Sequence, residues 1–114
     1  MVTLYGIKSC DSVKKAIKFF KENTIEYTFI DYKNSPLECA TIKAWLNKVE
    51  ITTLFNARST TYRNLKLKDM NLSDTQKEEW LCKENLLIKR PVAELNGAVT
   101  VGFDIKTYEK EFLS

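Results

Sequence analysis

The chain has 114 residues, 44% of them hydrophobic and 29% charged, with a net charge of +3 and no histidine. That is enough chain to bury one core but not two, and no window approaches the ~18 apolar residues of a membrane span. The mild charge, without a groove-reading motif, gives no reason to expect nucleic acid as a direct partner. The missing histidine removes Ser-His and Cys-His catalysis, histidine metal sites and the usual proton shuttle near neutral pH.

The opening stretch "MVTLYGIKSCDSVKKAIKFF" begins with a predicted buried strand from Val2 to Ile7, dense in β-branched and aromatic residues. Thr3, Lys8 and Asp11 interrupt it too early for a secretion signal, so a cytoplasmic location without membrane association is expected. A loop holding Cys10 follows. From Asp11 to Asn23, Val13, Ala16, Ile17 and Phe20 fall on one helical face. Lys14, Lys15, Lys18 and Lys21 take the other, which reads as a solvated stripe with some attraction for a small anion or a partner protein. "IEYTFIDY" is the second strand, and strand, helix and strand in this order make a parallel crossover.

"SPLE" at Ser35 to Glu38 combines an N-cap serine, a proline at the first helical position and a glutamate at the third, and predicts a helix start. Its apolar face would be Cys39, Ile42, Trp45, Leu46 and Val49, which turns Cys39 toward the core. "SDTQ" at Ser73 to Gln76 repeats the signal for a helix carrying Trp80, Leu81 and Cys82. The residues between these helices read as irregular or as short helices. "RPVAELNGAVTVGF" has alternating segments on either side of Asn96-Gly97, a strong hairpin signal. "IKTYEKEFL" closes with a helix whose apolar residues are Ile105, Tyr108, Phe112 and Leu113. The fold expected is α/β and thioredoxin-like: a single domain over residues 1–114, with a mixed four-stranded sheet and a helical insertion of about Lys33 to Lys89 between the two halves.

Cys10, Cys39 and Cys82 are an odd set whose spacing suggests neither a disulfide framework nor a zinc ribbon, so free thiols in a reducing compartment are expected. A thioredoxin-type motif would place a second cysteine three residues after Cys10, where this chain has Val13. At the start of a helix Cys10 meets about half a positive charge from unpaired amide groups, to which Lys8 adds, and a thiolate is the nucleophilic form. The plain alternative is that Cys10 is one more small apolar residue. Function outweighs it because the thiol stands in a strand-to-helix loop. For Cys39 and Cys82 the weights reverse.

"LYGIKSCDSVKKA", "NARSTTYRNL", "LLIKRPV" and "VGFD", in that order, resemble the arsenate reductase (ArsC) family, in particular its YffB and Spx-like branch. The resemblance implies a reactive Cys10, with Arg90 and Arg58 as anion-binding partners and Arg90-Pro91 as a cis peptide facing the thiol. From sequence alone either arginine is equally a solvated loop residue, and an X-Pro bond is cis in only ~5% of cases, so the cis expectation comes from the resemblance. Such a bond would leave the Arg90 backbone able to pair with an extended thiol such as glutathione, with Lys8 and Pro91 as substrate-binding residues.

Two departures decide among the activities that the resemblance implies. The glutaredoxin-coupled arsenate reductases bring a third arginine from beyond the hairpin, where this chain has Gly102 and Phe103. The Spx-type regulators carry C-x-x-C, and Val13 replaces its second cysteine. The expectation is therefore a monothiol reductase that holds no bound cofactor or metal and uses glutathione, or another small thiol, as co-substrate. The alternatives are arsenate reduction coupled to glutaredoxin, and a regulator that binds the RNA polymerase α-subunit. A monomer is expected.

Overall fold

The computed structural model describes residues 1–113. Strand β1 (Val2–Gly6) is followed by helix α1 (Asp11–Glu22) and strand β2 (Tyr27–Asp31). Strands β3 (Val92–Leu95) and β4 (Ala98–Val101) form the hairpin, and helix α6 (Ile105–Leu113) ends the chain. The four strands make one mixed sheet in the order β2-β1-β3-β4. β1 is parallel to β2 and antiparallel to β3, so Leu4 lies between Phe29 and Ala93. This is the α/β, thioredoxin-like arrangement that the order of sequence signals predicted. At the hairpin, Asn96 and Gly97 both take positive φ, 51° and 83°, as a two-residue turn matched to strand twist requires.

The core of this unit lies on one side of the sheet. Val2, Leu4 and Ala93 meet Val13, Ala16, Phe19 and Phe20 of α1 and Tyr108 of α6. Phe19 joins the buried face and Ile17 is only half-buried, because Tyr108 brings an aromatic ring against both Phe19 and Phe20, at centroid distances of 5.6 and 5.7 Å. α6 is narrower than its sequence pattern implied. Tyr108 is buried and Phe112 half-buried, while Ile105 and Leu113, at the helix ends, are exposed.

The chain divides into two compact units, Met1–Tyr32 with the chain from Arg90 on, and Lys33–Lys89. The second unit holds α2 (Cys39–Leu46), α3 (Ile51–Leu54), α4 (Thr60–Asn64) and α5 (Asp74–Lys83), with 3-10 turns at Leu67–Met70 and Asn85–Leu87. Ser73 and Gln76 form the expected capping box at the start of α5. "SPLE" does not start a helix: α2 begins at Cys39 with Glu38 as its N-cap. The amide of Leu37 instead donates to Oδ1 of Asn85 at 2.9 Å, while Nδ2 of Asn85 donates to the Leu81 carbonyl at 2.9 Å. A partner distant in sequence thus satisfies an amide that a local cap would otherwise have served.

The expectation of free thiols fails at two of the three cysteines. Cys39 is exposed, not core-facing, and forms a disulfide with half-buried Cys82, their Cα atoms 4.9 Å apart. The pairing follows from packing, since α2 and α5 lie against each other and bring the first residue of one beside the last turn of the other. Among the described residues no helix is long and apolar enough to cross a membrane.

Candidate functional site

β1 ends at Gly6, and the chain turns through Lys8 and Ser9 so that the amide of Cys10 donates to the Ile7 carbonyl at 3.2 Å. Cys10 is the N-cap of α1, in extended conformation (φ −80°, ψ 126°), and its carbonyl accepts the Lys14 amide at 3.0 Å. Serine, threonine, asparagine or aspartate at that position would ordinarily bond back to the first turn. The Cys10 side chain makes no such bond among the described residues and is a free, half-buried thiol. Helix N-termini leave amide donors unpaired and carry partial positive charge, and the Cys10 sulfur stands at this end of α1. Val13, three residues on, is fully buried against Gly6.

The sheet brings two more residues to the same level. The ladders end at Gly6 with Asp31 and at Tyr5 with Val92, so the next residues outward are Tyr32 on one side of β1 and Pro91, then Arg90, on the other. The amide of Tyr32 donates to the Gly6 carbonyl at 3.1 Å. The Arg90-Pro91 bond is cis, Pro91 is buried and Arg90 half-buried. Tyr32 is only 2% exposed, and burial pushes its phenol well above the ordinary tyrosine range. Arg90 opposes that shift, whereas Cys10 and Asp31 add to it. The Arg90 guanidinium is thus near enough to favour the phenolate, yet the two do not meet hydrogen-bond geometry in this conformation. The Tyr32 hydroxyl has no hydrogen-bond partner among the described residues.

Of the expected site residues, Cys10, Arg90 and Pro91 gather at this edge, and Lys8 is exposed in the turn before the thiol. Arg58 belongs to the helical unit, exposed in a turn where its amide donates to Oδ1 of Asn56 at 3.0 Å. Tyr32 was missed by sequence reasoning, because an aromatic residue closing a strand pattern reads as core. Only its place beside the thiol loop, which requires the β1–β2 register, separates it from a packing residue.

The segment beyond the hairpin contributes packing. Gly102, at φ 81°, donates its amide to the Pro91 carbonyl at 2.7 Å and accepts the Tyr108 hydroxyl at 3.0 Å. Positive φ is a conformation that glycine adopts without strain. The Phe103 ring lies 4.7 Å from that of Tyr108 and 6.5 Å from that of Phe19. Both positions are occupied in clasping the sheet to α6.

Comparison with known proteins agrees with this fold. The model of the ArsC family matches residues 5–111. An uncharacterized protein of Haemophilus influenzae is 37% identical over 113 residues, covering 98% of this chain and 99% of that one. The global transcriptional regulator Spx of Listeria innocua is 31% identical over 106 residues, 91% of this chain and 81% of its own. The solved structure of the YFFB protein superposes with a TM-score of 0.89 at 33% identity, over 96% of this chain and 97% of that one.

Proposed function

The chain belongs to the ArsC family, and on that premise we propose that it is a monothiol, glutathione-dependent thiol-disulfide reductase with Cys10 as nucleophile. The observation that carries the reading is a free thiol at the N-cap of α1 that does no capping, with buried Val13 where a resolving cysteine would stand. The Cys10 thiolate attacks the glutathione sulfur of a mixed disulfide RS–SG. That S–S bond breaks, its electron pair leaves on RS⁻, which takes a proton from water, and Cys10 is left joined to glutathione. A second glutathione thiolate then attacks that glutathione sulfur, releasing oxidised glutathione and the Cys10 thiolate. The sum is RSSG plus GSH giving RSH plus GSSG, and each bond broken is replaced by one formed.

In this reading Arg90 holds a carboxylate or steadies the thiolate, and Lys8 and Pro91 line the approach. Arg90→Lys keeps the charge and loses the planar fork, so turnover falls while the thermal midpoint holds. A glutathione-rich cytoplasm would supply the co-substrate of such chemistry, with the protein acting as a monomer. Arsenate is a weaker candidate, because Gly102 and Phe103 are spent on packing where a third donor would be needed, and one lost donor costs about 100- to 1,000-fold in rate. The test is turnover of arsenate and of a glutathione mixed disulfide, with glutathione and glutaredoxin in excess. Equal turnover of the two, abolished by Cys10→Ser, would promote arsenate reduction over our reading.

The kinship with a protein named a global transcriptional regulator favours one further reading, a binder of the RNA polymerase α-subunit. Titration of that subunit with this protein decides it. Micromolar binding without any turnover would replace the reductase assignment.

A further inference from the structure

Tyr32 stands out because its buried hydroxyl meets no hydrogen-bond partner among the described residues. A buried hydroxyl without a partner is penalised, and folded proteins retain few of them. The backbone explains where it sits: Tyr32 follows the last residue of β2, and its amide is held by the carbonyl of Gly6. One residue beyond Gly6 is Ile7, whose carbonyl accepts the Cys10 amide. The tyrosine and the thiol loop are thus anchored to consecutive carbonyls at the end of β1.

The donor and acceptor inventory narrows the role. Arg90, on the other side of β1, carries only donors. It can serve the phenol oxygen but cannot accept the phenol proton. Of the groups whose charges act on the hydroxyl, the acceptors are Asp31 and the sulfur of Cys10. Asp31 is the chain neighbour that ends β2, whereas the sulfur comes from the separate loop anchored at Ile7. The hydroxyl bonds to neither in this conformation, and the sulfur is the acceptor at which new negative charge arises during disulfide exchange. Lys8 and Asp11, the charged neighbours of Cys10 along the chain, are both exposed.

We propose that the Tyr32 hydroxyl is the hydrogen-bond donor to the Cys10 sulfur whenever that sulfur carries negative charge, as resting thiolate and as leaving group of its mixed disulfide with glutathione. This rests on the reductase reading and deepens it. When the second thiolate attacks the glutathione sulfur, the S–S electron pair moves onto Cys10, and the phenol bonds to the emerging anion while keeping its proton. Burial keeps the phenol neutral over the working pH range, so it acts as donor and not as base. The same bond restrains the thiolate as nucleophile, because nucleophilicity falls as basicity falls. Its benefit therefore lies in ionisation and in the release step.

The test is Tyr32→Phe, which keeps the ring. In iodoacetamide labelling followed by mass mapping, the pH at which Cys10 reaches half its maximal rate should move up by about one unit or more. Release of glutathione from Cys10 by added glutathione should slow about ten-fold at pH 7, with KM for the mixed disulfide unchanged. At a pH below the range in which Cys10 becomes reactive, the thermal midpoint should hold or rise, since there the phenol has no hydrogen bond to lose. In the unaltered protein, the ring signals of Tyr32 should shift over the pH range in which Cys10 becomes reactive, and stay still in Cys10→Ser. An unmoved labelling midpoint in a folded Tyr32→Phe protein overturns the proposal, as do ring signals indifferent to Cys10 or a lowered thermal midpoint with unchanged chemistry. Labelling needs no turnover, so it judges the donor separately. Turnover that survives Cys10→Ser removes the reductase reading instead.

Discussion

Gly6 is the last residue of β1, and a methyl group added to it would lie 2.5 Å from Cγ2 of Val13 and 3.4 Å from Cγ1. Carbon atoms sit comfortably at about 3.5–4.0 Å, so Gly6→Ala must open roughly 1 Å between strand and helix. Val13 cannot turn aside, being fully buried and branched at Cβ with one favoured rotamer in a helix. The first turn of α1 has to move, and Cys10 with it. Overpacking of this kind costs about 1–3 kcal/mol, offset by at most ~1 kcal/mol from the stiffer unfolded chain. A net loss of about 1–2 kcal/mol is expected in urea denaturation followed by circular dichroism, together with slower Cys10 alkylation. Val13→Ala removes both methyl groups concerned, so the double variant should be less destabilised than the sum of the singles by about 1 kcal/mol or more. A Gly6→Ala protein as stable as the original, or single effects that simply add, would show that strand and helix do not press on each other here.

Three further outcomes follow from the geometry. Opening the Cys39–Cys82 disulfide, by reduction or Cys82→Ser, frees a loop of 43 residues and should lower stability by about 4 kcal/mol on a chain-entropy basis; Trp45 and Trp80 both lie in the helical unit, so tryptophan fluorescence reports on it, and an unchanged urea midpoint would contradict the estimate. Oδ2 of Asp104 accepts from the Thr107 amide at 3.0 Å and from its hydroxyl at 2.8 Å, and the amide bond foremost holds the carboxyl below its ordinary value of 3.8. A depressed carboxylate pKa contributes stability above the unfolded value and loses it as pH falls through the folded one, so Asp104→Asn, which keeps the cap, should flatten the decline in thermal midpoint below about pH 4; an identical acid limb in both proteins counts against this assignment. Tyr108→Phe deprives the Gly102 carbonyl of its hydroxyl donor and should cost about 1–2 kcal/mol in chemical denaturation, whereas no loss would mean that the clasp contributes nothing to stability.

The sequence alone determined those features whose causes are local. Apolar spacing along "SVKKAIKFF" decides which side of α1 is buried, Ser73 and Gln76 cap α5 by themselves, and Asn96-Gly97 adopts the two positive φ angles that close the hairpin. The candidate thiol was legible for the same reason, since a cysteine in a strand-to-helix turn becomes an N-cap wherever the helix starts at the next residue. Tertiary structure decided what depends on partners far along the chain. The helix-start signal of "SPLE" yielded to Asn85, which takes the Leu37 amide, because a cap of about 1 kcal/mol is outweighed when a distant side chain meets the same need with packing in addition. Cys39 and Cys82 were unreadable as a pair because only the packing of α2 on α5 makes them neighbours. Tyr32 is the clearest case, since the same aromatic pattern describes a core residue whether or not its hydroxyl is bonded, and that this buried hydroxyl meets no partner among the described residues depends on where the register of β2 on β1 places it.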